Sequence, residues 1–470
     1  MAKLDKESPR EIIADFAKAI KDRKDPLTPK PAKTVIDFRN EHIDGREREI
    51  VYVPIELLLF RKDNGRISSD VIDYEKMNGP IDEKSTEGQE IIRNFLLEKD
   101  KDKTSQLKNS IQHTGQRDPA IITCDGFLIN GNRRKLTLEL LFNVTKEAKF
   151  TRMKVVILPG ESDPGGPPTI KEIEQIENRY QLHSDGKAEY SGFDRALSIR
   201  RKIECGMTLE EQLKDDPNFA NLSPKDFKAV VNKFNSEYLL PLKCADDYLK
   251  RLGREEQYGT ISGGKDDKEG RWQAFIDYYS RVHKHLQDPK SRAKMGISET
   301  EVGKIEDVAY KLIRKRVLKQ AGISKLHEAI RCIPKWISNK NAKKELIELI
   351  DIEVDLPDAE KKDSNGNYYS LKEIDRMWSA KHASNIINQV KKTKQIADHK
   401  AEIETPLKLL EAAYKKLTHD NMDTSALAND DLDTAREMTS NIQKRASELE
   451  SEIYHHMKNY KKNLSNKFSS

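Results

Sequence analysis

Residues 120–142, Ala-Ile-Ile-Thr-Cys-Asp-Gly-Phe-Leu-Ile-Asn-Gly-Asn-Arg-Arg-Lys-Leu-Thr-Leu-Glu-Leu-Leu-Phe, decide the fold class of this chain. Two apolar runs, Ala120–Thr123 and Phe127–Ile129, flank Cys124-Asp125-Gly126, a turn signal that predicts a hairpin. The second run passes straight into Asn130-Gly131-Asn132-Arg133-Arg134, and a helical pattern (Leu136, Leu138, Leu140, Leu141) starts at once. A glycine-containing turn at the head of a helix gathers backbone N–H groups with no intrahelical acceptor, together with the positive end of the helix dipole. Arg133 and Arg134 add planar donors that match phosphate oxygens. The stretch predicts an anion site on a strand-to-helix turn, with a nucleotide phosphate as the anion. The alternative is a surface turn whose arginines only cap or solvate.

Working outward, Ile50–Leu59 has a strand pattern and is followed by a turn over 61–67. Asp82–Gln89 is polar and reads as a loop. Ile91, Ile92, Phe95 and Leu96 mark one short helix, and Leu107 with Ile111 mark another. A third strand is expected at Met153–Leu158, then a glycine- and proline-rich loop over Pro159–Pro168. The fold class is therefore α+β, with a small mixed α/β domain over 45–185 followed by mainly helical domains. Residues 1–44 supply an N-terminal helix (Ile12, Ile13, Phe16, Ile20) and a linker at Pro26–Pro31. Residues 186–258 are helical, with helix starts at Thr208 and Ser223, each three before an acid, that resemble a stretched helix-turn-helix joined through Asp215–Leu222. The loop Gly259–Gly270 precedes a helical domain over 271–356, and a polar turn at Asp358–Asn367 precedes long helices over 368–470. There Leu407, Leu410, Tyr414 and Leu417 form one apolar seam. Ala435, Met438, Ile442, Ala446, Leu449, Ile453 and Met457 form another, which predicts a coiled-coil-like helical hairpin for oligomerisation or partner binding.

The bulk numbers restrict the function classes. A chain of 470 residues is too long for one domain. Its 84 basic and 79 acidic residues leave a net charge of +5, so only a local basic face could serve nucleic acid. The four cysteines (Cys124, Cys205, Cys244, Cys332) have no zinc spacing and suit a reducing cytosol as buried small hydrophobes. The N-terminus is charged from its third residue, unlike a signal peptide, and no apolar stretch approaches the ~20 residues of a membrane span. A cytoplasmic protein without membrane contact is expected.

Two further groups surround the central turn: Gly115-Gln116-Arg117-Asp118-Pro119 before the hairpin, and Glu174-x-x-Glu177-Asn178-Arg179 after the third strand. In this order the motifs resemble the ParB/sulfiredoxin-like superfamily, and ParB more closely, over about residues 50–250. ParB proteins carry a helix, a Gly-x-x-x-Pro turn and hairpin, a Gly-x-Arg-Arg turn-helix, and a Glu-Asn pair opening the helical DNA-binding part. The corresponding positions are Leu107–Ile111, Gly115–Pro119, Gly131–Arg134 and Glu177-Asn178, and the strand Val53-Pro54-Ile55 leads to Asn64-Gly65-Arg66 where ParB has a turn facing the nucleotide. The resemblance implies a nucleotide site (CTP or ATP) of Asn64, Arg66, Gln116, Arg117, Asn130, Gly131, Asn132, Arg133, Arg134 and Asn178. It implies Mg²⁺ at Glu177 and Asn178, with Glu177 as the catalytic candidate. Two departures stand out. Gln181 occupies the place of the arginine that usually follows Glu-Asn in ParB, and Gln116-Arg117-Asp118 is polar where ParB is aliphatic, so the base is open. Asn132 stands where sulfiredoxin has its cysteine, which argues against peroxide reduction.

For DNA, Lys225, Lys228 and Lys233 lie on or near the second helix of the stretched helix-turn-helix, where phosphate contacts would be made; solvated lysines on a plain helical hairpin are the alternative. The expectation is a nucleotide-binding, DNA-associated protein that uses the triphosphate as a switch or hydrolyses it slowly, in partition, mobile-element or anti-phage context. A nuclease or small-molecule kinase is one alternative, although no dense carboxylate cluster suits two-metal cleavage. A helical partner-binding module with a degenerate nucleotide site is the other. His283-x-His285 and His455-His456 lack a third metal ligand nearby, Trp272, Trp336 and Trp378 read as core anchors, and Arg314-Lys315-Arg316 and Lys458–Lys467 read as solvated basic runs.

Overall fold

Hairpin, turn and helix form where the local chemistry demands them. In the computed structural model, which describes residues 9–26, 32–36, 38–39, 47–99, 101–182, 192–261, 270–353, 366, 368–419 and 422–467, strand β5 is Ala120–Ile122, numbered in chain order. The chain turns back at Gly126 (φ +92°), where a Cβ would lie 2.5 Å from the Leu57 carbonyl oxygen, so only glycine fits. The return limb is tied by Phe127 N–H to Thr123 Oγ1 (3.0 Å) and Ile129 N–H to the Ile121 carbonyl (2.9 Å). Asp125 is fully buried beneath the hairpin and accepts a two-pronged bond from Arg10 (2.9 and 2.8 Å), which anchors the N-terminal segment.

The elements before β5 are α1 (Ala14–Arg23), β1 (Asp25–Pro26), β2 (Lys33–Val35), β3 (Glu47–Glu49), β4 (Val51–Pro54), α2 (Ser68–Asn78), α3 (Thr86–Glu98) and α4 (Lys101–Thr114). After it come α5 (Asn132–Thr145), β6 (Arg152–Ile157) and α6 (Ile170–Leu182). The main sheet has the order β1-β4-β6-β5; β6 pairs antiparallel with β4 (Val53 opposite Met153) and parallel with β5 (Ile121 opposite Val156), while β2 and β3 form a separate ribbon. Both faces of β5 are buried, so its apolar run is unbroken. Ala120 and Ile122 face a core built with Ile92, Leu96, Ile111, Leu136 and Leu141 from α3, α4 and α5. Ile121 and Ile129 face Ile173 and Ile176 of α6 on the other side.

Three expectations need correction here. The strand expected to run to Leu59 ends at Pro54, where a 3-10 turn (Ile55–Leu57) takes over. The polar stretch Asp82–Gln89 already contains the first turn of α3, started by Ser85, whose side chain accepts from Gly88 N–H. The linker at Pro26–Pro31 begins with Pro26 paired to Val51, and its remainder lies outside the described residues.

The second half is helical: α7 (Gly192–Glu204), α8 (Leu209–Lys214), α9 (Pro217–Ala220), α10 (Pro224–Phe234), α11 (Leu240–Arg251), α12 (Gly270–Asp277), α13 (Lys284–Gln287), α14 (Pro289–Lys294), α15 (Glu299–Lys315), α16 (Leu326–Ile337), α17 (Lys340–Ile347), α18 (Leu371–Lys381), α19 (Ala383–Leu417) and α20 (Leu432–Lys467). Thr208 and Ser223 cap α8 and α10 as their sequence predicts, but the connection between them holds the extra helix α9. One apolar core extends from Phe193 to Ala397 and includes Trp272, Trp336 and Trp378. Arg314 and Lys315, expected to be solvated, are buried instead. Of the cysteines, Cys244 is buried and the other three are half-buried. The loops expected at Gly259–Gly270 and Asp358–Asn367 fall largely outside the described residues.

The chain is thus α+β and mainly helical, in two units, Met1–Ala397 and Asp398–Ser470. In the second unit Leu407, Leu410, Tyr414 and Leu417, and on α20 Met438, Ile442, Ile453 and Met457, are all exposed. Among the described residues no helix is long and apolar enough to cross a membrane.

Candidate functional site

Gly131 is the N-cap of α5 with φ +88°, a left-handed conformation natural to glycine. A Cβ there would sit 2.7 Å from the Ala120 Cβ and 3.1 Å from the Met153 Cε, so the turn is pressed against the sheet. Gly131 has no side chain to cap the helix, and the first intrahelical bond is Lys135 N–H to the Gly131 carbonyl (3.0 Å). The N–H groups of the first turn therefore have no intrahelical acceptor. Asn132, at the first helical position, is 6% exposed, and its buried Oδ1 has no hydrogen-bond partner. A buried acceptor without a donor is costly and uncommon. Arg133 is half-buried on the same turn.

Other expected phosphate ligands have structural duties. Arg134 Nη1 donates to the Asp118 carbonyl and to the Pro119 carbonyl (3.2 Å), so it braces the Gly115–Pro119 turn. Burial pushes this guanidinium below its ordinary range, against the raising influence of Asp118 and of Tyr180 on α6. Asn130 Oδ1 accepts from Ile121 N–H (2.8 Å), which locks the turn to β5. Gln116 is fully engaged: its amide donates to the carbonyls of Asp118 (2.9 Å) and Lys154 (2.8 Å) and accepts from Lys154 N–H (2.8 Å). Arg117 is exposed beside it. Asn64 Oδ1 accepts from Arg66 N–H (2.9 Å), an Asx turn that shapes the entry to α2, and Arg66 itself is half-buried.

Glu177 and Asn178 lie on α6, which packs on the sheet face that carries Ile121 and Ile129. Tyr180, one turn beyond Glu177, comes near enough to Arg134 to influence it, so α6 borders the turn at the head of α5. Glu177 is buried; it accepts from Gly65 N–H (3.3 Å) and pairs with Arg61 (3.8 Å). Asn178 faces the other way and donates to the Gln212 carbonyl (3.0 Å) and to Asp215 (3.2 Å).

Sequence reasoning missed the network around Glu177. Buried Glu174 binds both Arg61 (3.0 Å) and Arg201 of α7 (2.6 Å), and Arg201 also pairs with Asp63 (3.6 Å). Lys202 is buried next to Arg201 and donates to Ser198 (3.0 Å); burial lowers its pKa although Glu177 and Glu174 raise it. Arg61, Arg201 and Lys202 balance Asp63, Glu174 and Glu177. The balance leaves no spare negative charge for a free divalent ion, and the described residues hold no group of three or more metal-type ligands. A Mg²⁺ at Glu177 would need most of its oxygens from a group other than these side chains.

Lys225, Lys228 and Lys233 are exposed on α10, which packs through Phe227, Val230, Val231 and Phe234 on a small core with Ile199, Leu209 and Leu213. At 3.6 residues per turn the three lysines fall within about one half of the helix circumference. Of the histidines, His283 pairs with Glu306 (3.2 Å).

No protein-family model matches the chain, and neither does any curated protein or any solved structure.

Proposed function

We propose that this chain is a ParB-like nucleotide-binding, DNA-associated protein whose α5 turn grips the phosphates of CTP or ATP with Mg²⁺. The observation that carries the reading is the turn at Gly131: a left-handed glycine cap, a helix N-terminus without a side-chain cap, Arg133 on that turn, and the buried unpartnered Oδ1 of Asn132, with Glu177 on the bordering helix. In this reading Arg133 and the first-turn N–H groups receive phosphate oxygens. Gln116, Asn130 and Arg134 hold the turn in shape from behind. Glu177 is released from Arg61 in part to share the Mg²⁺ that accompanies the triphosphate.

That exchange gives the site a switch. Arg61 and Arg201 fasten the turn over 61–67 to α6 and α7 through Glu174 and Glu177. A bound γ-phosphate and its Mg²⁺ would draw on the same carboxylate, and the ion pairs joining the α/β part to the helical part would rearrange. Lys225, Lys228 and Lys233 on α10 then serve as phosphate contacts to DNA.

Filter binding with the four ribonucleoside triphosphates, with Mg²⁺ or with a chelator, tests the reading. Retention of CTP or ATP that needs Mg²⁺ and weakens in Glu177→Gln supports it; retention of none of the four refutes it.

A further inference from the structure

A cleft lined largely by cationic side chains lies in the helical half, apart from the α5 turn. It has a volume of about 690 Å³ and opens between the turn Tyr278–His283 with α13, the helix α14, and the C-terminal half of α16. Its walls carry Arg281, Lys294, Arg331 and Lys335, with the His285 ring beside them. No carboxylate is among the lining residues, which is unusual in a chain with nearly equal numbers of acids and bases. Two acids stand behind the wall: Asp277 pairs with Arg331 (2.9 Å), and Asp288 accepts from Ser291 N–H (2.9 Å) and from its hydroxyl (2.6 Å). They orient the lining groups from outside the cleft.

The shape of the cleft is held by backbone devices. Arg281 lies in a π-turn, Tyr278–His283, set between α12 and α13. Such insertions are uncommon and frequent at functional sites, and the chain has another at Asn235–Leu239, so this one serves here as a shaping device. This one changes the rotation of the helix between buried Tyr278 and half-buried His285, while Val282 stays in the core. Arg292 donates to the Leu286 carbonyl (2.8 Å) and Lys343 to the Gly296 carbonyl (2.7 Å), so both ends of α14 are pinned. Met295 and Pro334 add apolar surface between the cations, and Ser291 and Ser338 add hydroxyls.

From this cleft we infer that the chain binds a phosphorylated ligand of nucleotide size, its phosphates on Arg281, Lys294, Arg331 and Lys335 and its ring against Met295 and Pro334. The chemistry is shared by a free nucleotide and by one unit of a single-stranded nucleic acid. The volume fits this class, since ligand sites span about 300–1,000 Å³. The site is independent of the α5 turn, so either can fail without the other.

The test uses the full chain and fluorescence anisotropy with a fluorescein-labelled twelve-residue oligothymidylate, with ATP and the unlabelled oligonucleotide as competitors. Arg281→Ala with Lys335→Ala, and separately Lys294→Glu, should each weaken binding about tenfold or more. They should also flatten the salt dependence, because each lost phosphate contact removes about 0.7 from the log–log slope for a single strand. Lys319→Ala, an exposed lysine elsewhere, should leave both unchanged. Arg281 and Lys335 are exposed, and unchanged melting would confirm that the variants fold. Displacement by ATP at similar concentration identifies a free nucleotide as the ligand; displacement only by unlabelled oligonucleotide identifies the strand. The inference is overturned if the parent binds none of these probes at low salt, if the cleft variants bind like the parent, or if Lys319→Ala loses as much as they do.

Discussion

Asp375→Asn removes the only carboxylate described at the centre of three buried arginines, and its cost can be worked out from the geometry. Asp375 Oδ1 accepts from Arg254 (2.9 Å) and Arg314 (3.0 Å), and Oδ2 is ion-paired with Arg271 at 2.6 Å. All four residues are buried, and they come from the loop after α11 and from α12, α15 and α18, so this one side chain joins four parts of the helical core. Arg271 also donates to the Thr260 carbonyl (2.9 Å), and Arg314 lies over the Trp378 ring (4.5 Å). The amide keeps the shape but removes the charge that three guanidinium groups share. Breaking a buried ion pair from one side costs about 3–5 kcal/mol. At about 2.1 cal/mol/K per residue, unfolding the unit Met1–Ala397 carries an entropy of about 0.8 kcal/mol/K, so Tm should fall by about 4–6 °C. Burial alone would raise the Asp375 pKa, but Arg271, Arg254 and Arg314 outweigh it and hold the group below its usual 3.8. A depressed carboxylate stabilises the fold above its unfolded pKa and loses that contribution as pH falls through the folded value. The parent and Asp375→Asn should therefore differ fully at pH 6 and converge only as pH falls from about 4 through the depressed folded value, toward about pH 2. Scanning calorimetry at both pH values reads this; a Tm change under 1 °C at pH 6 would refute the claim that Asp375 holds the core together.

Gly131→Ala forces a left-handed alanine and a contact with Ala120, so a loss of about 1–3 kcal/mol is expected in urea titration. Arg134→Ala should leave α5 intact but free the Asp118 and Pro119 carbonyls, seen as faster amide exchange across residues 115–119. Burial raises the Asp73 carboxyl to about 7, despite N–H groups of Tyr258 and Gly259 that lower it. A raised acid contributes stability at low pH and loses it as pH climbs from about 4 to about 7. Asp73→Asn should therefore raise Tm at pH 8 and leave it little changed at pH 4.5. Ile442→Asp with Ile453→Asp places charge on the exposed seam of α20, and sedimentation velocity should show any self-association of the parent lost in the variant.

Much of the fold could be read because its signals are local. Asp125-Gly126, Gly131, Thr208 and Ser223 act on their immediate neighbours, and each appears at the expected turn or cap. The first turn of α3 was hidden because Thr86 and Glu87 carry no apolar periodicity; the Ser85 cap was the signal available. The charged networks were out of reach for a different reason. Arg61 and Glu174 are 113 residues apart and Arg254 and Asp375 are 121 apart, so no spacing rule connects them. Arg314-Lys315 looked like a solvated run because their partners, the Asp375 carboxylate and the Ser379 hydroxyl, lie 61 and 64 residues away. At the candidate site, sequence brought out the turn and the bordering acid. It could not separate Arg133 from Arg134, because the brace to Asp118 and Pro119 depends on how the Gly115 turn folds back.

The most direct test of the central claim is isothermal titration of the full chain and of Arg133→Ala with CTP and ATP in Mg²⁺. The turn at Gly131 predicts saturable binding of at least one triphosphate to the parent and a loss of about tenfold or more in the variant, as expected when a charge-assisted contact of about 1.5–3 kcal/mol is removed. Binding of equal strength in both proteins, or none in the parent, would contradict a phosphate site at the head of α5.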